Sequence, residues 1–117
     1  MPSERPARRL EDIIENARAI RRYTSGLDLI AFGADPKTRD AVEGCLERIS
    51  EAAVKLGDVA AELMPAQPWQ EIRSLGNRLR HEYDRIREDR LWDIVRNDIE
   101  ALEAACVEAL QRLKISL

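Results

Sequence analysis

An apolar stripe with the period of an α-helix runs through the centre of this sequence and restricts its fold more than any other feature. The segment begins at Asp35-Pro36 and ends at Gly57. Aspartate can accept hydrogen bonds from the first free amides of a helix, and proline fits the first helical position because no donor is needed there. Between these signals, small and aliphatic side chains recur about every 3.6 residues: Ala41, Val42, Cys45, Leu46, Ile49, Ala52, Ala53 and Leu56. We therefore predict one long helix that buries this stripe against other elements.

Three further segments show the same helical period. They span residues 8–25, 68–86 and 91–113. The last two are separated by a charged turn predicted at residues 87–89, and the chain closes with a short tail from residue 114. Each segment places its charged side chains away from its apolar stripe, so each is predicted to be an amphipathic helix.

Two shorter segments complete the pattern. Residues 27–32 form an apolar connector that should bury Phe32, with or without a helical turn, and residues 58–64 could add about two turns after the central helix. Amphipathic helices joined by short connections are typical of antiparallel bundles. We predict an all-α fold, an antiparallel bundle of four to five helices, that forms a single domain over residues 1–117.

The composition sets limits on cellular location and partners. Charged residues make up 35% and hydrophobic residues 44% of the chain, as expected for a bundle of amphipathic helices. The net charge of -3 argues against broad electrostatic capture of nucleic acid, although a small basic site could exist. Arginine supplies sixteen of the nineteen basic residues, which suits phosphate or carboxylate recognition or reflects a bias of the genome. We expect a cytoplasmic protein without membrane contact, because neither a bilayer-spanning run nor a signal-peptide core occurs.

The sequence predicts neither a metal site nor a cofactor. Cys45 and Cys106 each fall on an apolar helix face, so we expect buried free thiols rather than a disulfide or metal pair. A single histidine without a cysteine cluster cannot supply a zinc site within one chain. Glycine-rich phosphate loops and nucleophilic serine motifs are also absent from the sequence.

His81, the only histidine, lies on the predicted helix 68–86 among several arginines. Each residue of an ideal helix turns by about 100°, which places Arg73, Asn77, Arg80 and Asp84 in the same polar sector as His81. Imidazole takes or gives a proton near neutral pH, and guanidinium groups stabilise charge on phosphoryl oxygens. This set could therefore bind and cleave a phosphodiester. The same residues also fit a solvated helix face on which Asp84 pairs with Arg80.

The residues around His81 resemble the HEPN superfamily, specifically its HepT-like branch of small bacterial toxins. The pattern of that family is Trp-x-x-Ile followed by Arg-Asn-x-Leu-x-His-x-Tyr. In this chain the corresponding residues are Trp69-Gln70-Glu71-Ile72 and Gly76-Asn77-Arg78-Leu79-Arg80-His81-Glu82-Tyr83. Residues 35–42, which open the central helix, are also similar, and the likeness spans nearly the whole chain.

The resemblance implies an all-helical homodimer that cleaves RNA without metal. In active members an arginine lies four to six residues before the histidine, and two such motifs meet across the dimer. Family members commonly have a small nucleotidyltransferase antitoxin as a partner, which transfers AMP to the motif tyrosine. By position this tyrosine is Tyr83. Because residues 81 and 83 point about 200° apart on a continuous helix, both can line one site only if the helix ends or distorts there or the partner subunit contributes.

The chain departs from the family pattern at Gly76, which stands where the family has its arginine. Loss of one charge-stabilising donor can lower a rate by about 10²–10³. Arg73 and Arg80 share the polar sector with His81, with Asn77 between them; we expect Arg73 to be the substitute, and Arg80 is the other candidate. The alternative is a catalytically weakened HEPN module that binds a nucleotide or a protein partner without cleaving RNA.

Overall fold

The structure, a computed structural model, describes residues 5–81 and 86–115. These residues contain seven helices and no strand. The helices are α1 (Pro6–Thr24), α2 (Leu29–Gly33), α3 (Pro36–Leu56), α4 (Asp58–Leu63), α5 (Trp69–Arg80), α6 (Glu88–Asn97) and α7 (Ile99–Ile115). The predicted all-α bundle is confirmed.

The central helix α3 has the capping interactions that its sequence predicts. The carboxylate of Asp35 accepts hydrogen bonds from the backbone N–H of Thr38 at 3.1 Å and from its hydroxyl at 2.7 Å. Pro36 occupies the first helical position. At the other end, Gly57 has a positive φ of 58°, and its N–H bonds to the carbonyls of the last helical turn. Local sequence therefore determines both ends of α3.

The packing is organised around α3, which contacts both α1 and α5, while α1 also contacts α7. The apolar stripes of these helices converge in one core. Its fully or almost fully buried aliphatic residues include Leu10, Ile13, Ile20, Val42, Leu46, Ile49, Leu56, Leu91, Ile99 and Leu102. Among the helices of residues 5–81 and 86–115, none has the length and hydropathy needed to cross a membrane.

Phe32 and the two cysteines lie where the sequence predicts. Phe32, on the short helix α2, is fully buried, and its ring lies 5.2 Å from that of Trp92 on α6. Cys45 and Cys106 are free and fully buried. Burial raises the pKa of the Cys106 thiol to about 12, so its reactive thiolate form is suppressed.

A charged cluster joins α1 to α7. The carboxylate of Glu103 accepts hydrogen bonds from Arg18 at 3.1 Å and from Arg21 at 2.7 Å. Burial alone would raise the pKa of Glu103, but the hydrogen bonds and charges of the two arginines outweigh that effect and lower it. The ionised carboxylate is therefore the form that the fold stabilises.

The predicted helix 68–86 was too long, because α5 ends at Arg80. His81 follows with an extended backbone, φ -104° and ψ 111°, and its N–H bonds to the carbonyl of Arg78 at 3.4 Å. This bond to the third residue back is typical of a tightened last turn. At the far end of the gap in the described residues, Ile86 and Arg87 are also non-helical.

The predicted helix 91–113 was wrong at its start and in its continuity. The helix begins at Glu88, within the residues predicted as a turn, because Glu88 and Asp89 suit the positive end of a helix dipole. Asp98 then divides it into α6 and α7, although its N–H still bonds to Ile94 and its carbonyl to Leu102. Asparagine and aspartate are weak helix formers, and the pair 97–98 lies at this bend.

Candidate active site

The helix α5 carries most of the motif residues, and Trp69 fixes its beginning. The indole of Trp69 is buried, and its Nε1–H donates a 2.8 Å hydrogen bond to the carbonyl of Met64. This bond ties the start of α5 to the chain that leaves α4. The motif tryptophan is therefore a structural residue that sets the position of the helix.

A close contact between α5 and α3 explains why residue 76 is glycine. The N–H of Gly76 donates to Oγ of Ser50 at 3.0 Å, and the same hydroxyl donates to the carbonyl of Arg73 at 2.8 Å. A Cβ atom at position 76 would lie 2.6 Å from Oγ and 2.9 Å from Cβ of Ser50. The family arginine thus has no room here unless α3 and α5 move apart. Sequence reasoning missed Ser50, which carries no motif signal.

Arg73 points towards α3 and not outward with the other polar residues. Its Nη2 donates to the carbonyl of Gly57 at 2.8 Å, and its Nε lies 3.5 Å from the carbonyl of Ala53. These carbonyls belong to the end of α3, where a cation is favourable. The side chain is half-buried in this contact, so its predicted role at a phosphate would require it to leave these partners.

Asn77, Arg80 and His81 are exposed in the last turn of α5 and directly after it. Nη2 of Arg80 donates to Oδ1 of Asn77 at 3.3 Å. Its other terminal nitrogen, Nη1, lies 3.5 Å from the point where a Cβ of residue 76 would stand. The guanidinium of Arg80 therefore reaches back over Gly76, next to the position from which the family arginine would project. His81 follows Arg80 at the turn that ends the helix.

A buried arginine joins Ile86, the first described residue beyond position 85, to α3. Arg39 is only 8% exposed, and its Nη2 donates to the carbonyl of Ile86 at 2.8 Å. The same guanidinium pairs with Glu43 at 2.9 Å and with Glu88 at 2.7 Å. Arg39 thus fixes the chain five residues beyond His81. Its position among many arginines gave no signal of this role in the sequence.

Tyr83 and Asp84 lie outside the described residues. The predicted AMP acceptor and the predicted partner of Arg80 therefore have no structural description. In the rest of the chain, residues 5–81 and 86–115, no group of three or more His, Cys, Asp or Glu side chains could hold a metal ion.

Fold and motif together define a helical protein with an exposed histidine and arginine at the end of one helix, and comparison with known proteins gives the family. Residues 13–109 match the profile of the family described as ribonuclease HepT-like. The chain belongs to this HepT-like family of the HEPN superfamily.

Curated relatives agree with the family assignment. A protein of Methanocaldococcus jannaschii named as a candidate RNase is 35% identical over 107 residues, which cover 88% of each chain. A protein of Thermococcus cleftensis named as a candidate ribonuclease HepT is 34% identical over 94 residues, covering 80% of this chain and 86% of the relative. A candidate RNase of Caldanaerobacter subterraneus is 30% identical over 105 residues, covering 90% and 94%. No solved structure matches the chain significantly.

Proposed function

We propose that this protein is a metal-independent ribonuclease of the HepT type, with His81 as its acid-base group. The family and the names of the relatives support RNA as the substrate. The observation that carries the proposal is that Asn77, Arg80 and His81 are exposed where α5 ends, with Arg80 bonded to Asn77. Imidazole can transfer a proton and guanidinium can stabilise charge on the phosphoryl oxygens, and phosphodiester cleavage uses both functions.

The reaction needs two proton transfers. One group removes the proton of the ribose 2′-hydroxyl as its oxygen attacks phosphorus, and another protonates the 5′-oxygen that leaves. One chain has a single histidine, so we propose a homodimer in which His81 of each protomer supplies one of these steps. Sedimentation should show a dimer. Replacing an outward-facing residue of α5, such as Gln70, with a charged residue should weaken this dimer.

Arg80 is our preferred arginine for stabilising the phosphorane-like transition state. It is exposed, it lies next to His81 in the chain, and its guanidinium hangs over Gly76. Arg73 is held by the end of α3 and is the second candidate. Asn77, which accepts from Arg80, orients that guanidinium. Replacing Arg80 with Gln should lower cleavage by about 10²–10³ without changing stability, whereas Arg73→Gln should chiefly lower stability.

The decisive experiment measures cleavage of single-stranded RNA in the presence of a chelator. Wild type should cleave, and His81→Ala should not. Arg48→Gln, at an exposed position on α3, is the control and should retain wild-type activity. Equal cleavage by wild type and His81→Ala would refute the assignment of His81.

Gly76 favours a second candidate function. A site that lacks the family arginine, at a position without room for it, also fits a catalytically weakened module that binds a nucleotide or a protein partner. Wild-type protein that binds RNA or nucleotide but leaves RNA intact under all conditions would support this alternative over the ribonuclease.

We further propose that the protein is the toxin of a toxin-antitoxin pair. A nucleotidyltransferase partner would neutralise it when the phenol oxygen of Tyr83 attacks the α-phosphorus of ATP and pyrophosphate leaves. The intact mass should then rise by one or more AMP units after incubation with the partner and ATP, and Tyr83→Phe should abolish that rise. An unchanged increase in Tyr83→Phe would place the modification elsewhere.

A further inference from the structure

We propose that the groove between α5 and the helices α6 and α7 binds one nucleotide of single-stranded RNA. Aliphatic side chains on its floor would hold the base, and Arg78 and Arg90 would hold the adjoining phosphate. This inference rests on the proposed ribonuclease function and describes how its substrate is bound. The proposed site is distinct from the residues that carry out the chemistry.

The groove exists because α5 packs against α3 and leaves a cavity beside α6 and α7. Its volume is about 430 Å³, within the range of small-molecule sites. Three helices contribute aliphatic residues to its apolar surface, which includes Leu46, Ile49, Ile72, Leu75 and Ile94. Ile72 and Leu75 remain half-exposed on α5, so this surface is accessible to a flat apolar ligand such as a nucleobase.

Two arginines from different helices line the same groove. Arg78 comes from the last turn of α5 and Arg90 from the first turn of α6, and both are exposed. Across residues 5–81 and 86–115, neither guanidinium has an ion pair, whereas Arg39 and Arg87 pair with carboxylates. Two guanidinium groups that line one cavity without an ion pair of their own can bind an anion, and planar guanidinium recognises phosphate in particular.

The polar rim has the groups that recognise a base edge. Gln67, Ser74 and Asn97 line the groove with hydrogen-bond donors and acceptors, and Glu71 and Asp98 add acceptors. Proteins read unpaired RNA bases through hydrogen bonds to their edges. A base inside a duplex is stacked and paired, so it could not enter this cavity.

The position of Arg78 connects the groove to the candidate active site. Its carbonyl accepts the N–H of His81 at 3.4 Å, so both belong to the turn that ends α5. Arg78, Ile86 and Arg90 also line an adjoining cavity of about 380 Å³, which gives a strand a route out of the groove. A phosphate on Arg78 would thus place the next phosphodiester towards the end of α5.

The test measures RNA binding by anisotropy in the His81→Ala background, so that cleavage does not interfere. We expect Arg78→Gln and Arg90→Gln each to weaken binding of a short single-stranded RNA by about tenfold. Each should also reduce the salt dependence of log Kd by about one unit. Arg48→Gln is the matched control, because Arg48 is exposed on α3 and lines a different cavity. None of the three should change the melting temperature.

Two other ligands and one substitution in the apolar floor of the groove test whether the groove binds a base. An abasic oligonucleotide of the same length and a fully double-stranded RNA should each bind about tenfold more weakly than the single strand. Leu75→Ser should weaken binding of the single-stranded RNA and leave binding of the abasic strand unchanged. Equal affinities for the intact and abasic strands would overturn the base site.

Other outcomes would overturn the whole inference. Arg78 and Arg90 variants that bind RNA as well as their parent would place the site elsewhere. If Leu75→Ser dissociates a dimer and leaves the affinity for RNA unchanged, the groove is an interface between two copies of the chain. Both results leave the ribonuclease proposal standing. Conversely, an inactive wild type whose RNA binding depends on both arginines would refute the ribonuclease and retain the groove.

Discussion

Replacing Gly76 with Ala should destabilise this protein, although the same change usually stabilises a helix. The added Cβ would lie 2.6 Å from Oγ and 2.9 Å from Cβ of Ser50, and ordinary contact begins only at 3.4 Å. Ser50 is buried on a long helix, so α3 and α5 must separate. Overpacking of this kind costs about 1–3 kcal/mol. The strained hydrogen bond from the Gly76 N–H to Ser50 adds about 1 kcal/mol.

Helix propensity opposes these costs by about 1 kcal/mol, because alanine is the better helix former. The net expectation is a loss of about 1–3 kcal/mol in the free energy of unfolding. Gly44 provides the control, since a Cβ there would meet only the end of the flexible Arg48 side chain at 3.5 Å. Gly44→Ala should therefore stabilise the protein by about 1 kcal/mol.

The assay is urea unfolding followed by far-ultraviolet circular dichroism, with the midpoint and slope compared among variants. Ser50→Gly removes both clashing atoms. The free energy of unfolding of the double variant Ser50→Gly/Gly76→Ala should therefore be higher, by at least about 1 kcal/mol, than the value obtained by adding the effects of the two single changes. Equal stabilisation by Gly76→Ala and Gly44→Ala, or simple additivity in the double variant, would refute the reasoning. Glycine at position 76 would then need another explanation.

Two further predictions concern buried charges. The folded state lowers the pKa of Glu103. The ionised carboxylate therefore adds to the free energy of unfolding above the ordinary carboxyl pKa, and this stabilisation is lost as pH falls through the lowered pKa. The stability deficit of Glu103→Gln at neutral pH should therefore shrink below about pH 4, and a deficit independent of pH would contradict this cause. Arg39→Gln should lower the free energy of unfolding by about 2–3 kcal/mol and should also lower RNA cleavage. Arg48→Gln should change the free energy of unfolding by less than about 0.5 kcal/mol. Urea unfolding and cleavage rates test both, and equal effects of the two arginine changes would refute a specific role for Arg39.

Local signals predicted the helices well, because each signal acts over a few residues. Asp35 and Gly57 define the ends of α3 through hydrogen bonds within three or four residues of themselves. The apolar period likewise identified the buried faces. The end of α5 at Arg80 and the bend at Asp98 were missed, because an apolar period continues across a weak point in a helix without marking it.

The candidate site depends on contacts between residues far apart in the chain, which a helical projection cannot show. Arg73 shares a polar sector with Asn77 on an ideal helix, yet it turns towards α3 because the carbonyl of Gly57 lies within reach. Arg39 and Ile86 are 47 residues apart in sequence and joined by a buried hydrogen bond. Spacing alone could nominate His81, but it could not reveal which arginines have other partners.

The missing family arginine at position 76 has a different meaning once Ser50 is considered. In the sequence, glycine there reads as a deleted catalytic group that a single substitution could restore. In the structure, the position is filled by the hydroxyl of Ser50, and the guanidinium of Arg80 already lies beside it. Adding an arginine at position 76 would therefore disturb the α3–α5 contact that holds the end of α5. Arg80, one helical turn later, can supply a positive charge near His81 without disturbing this contact, whereas a larger residue at position 76 cannot.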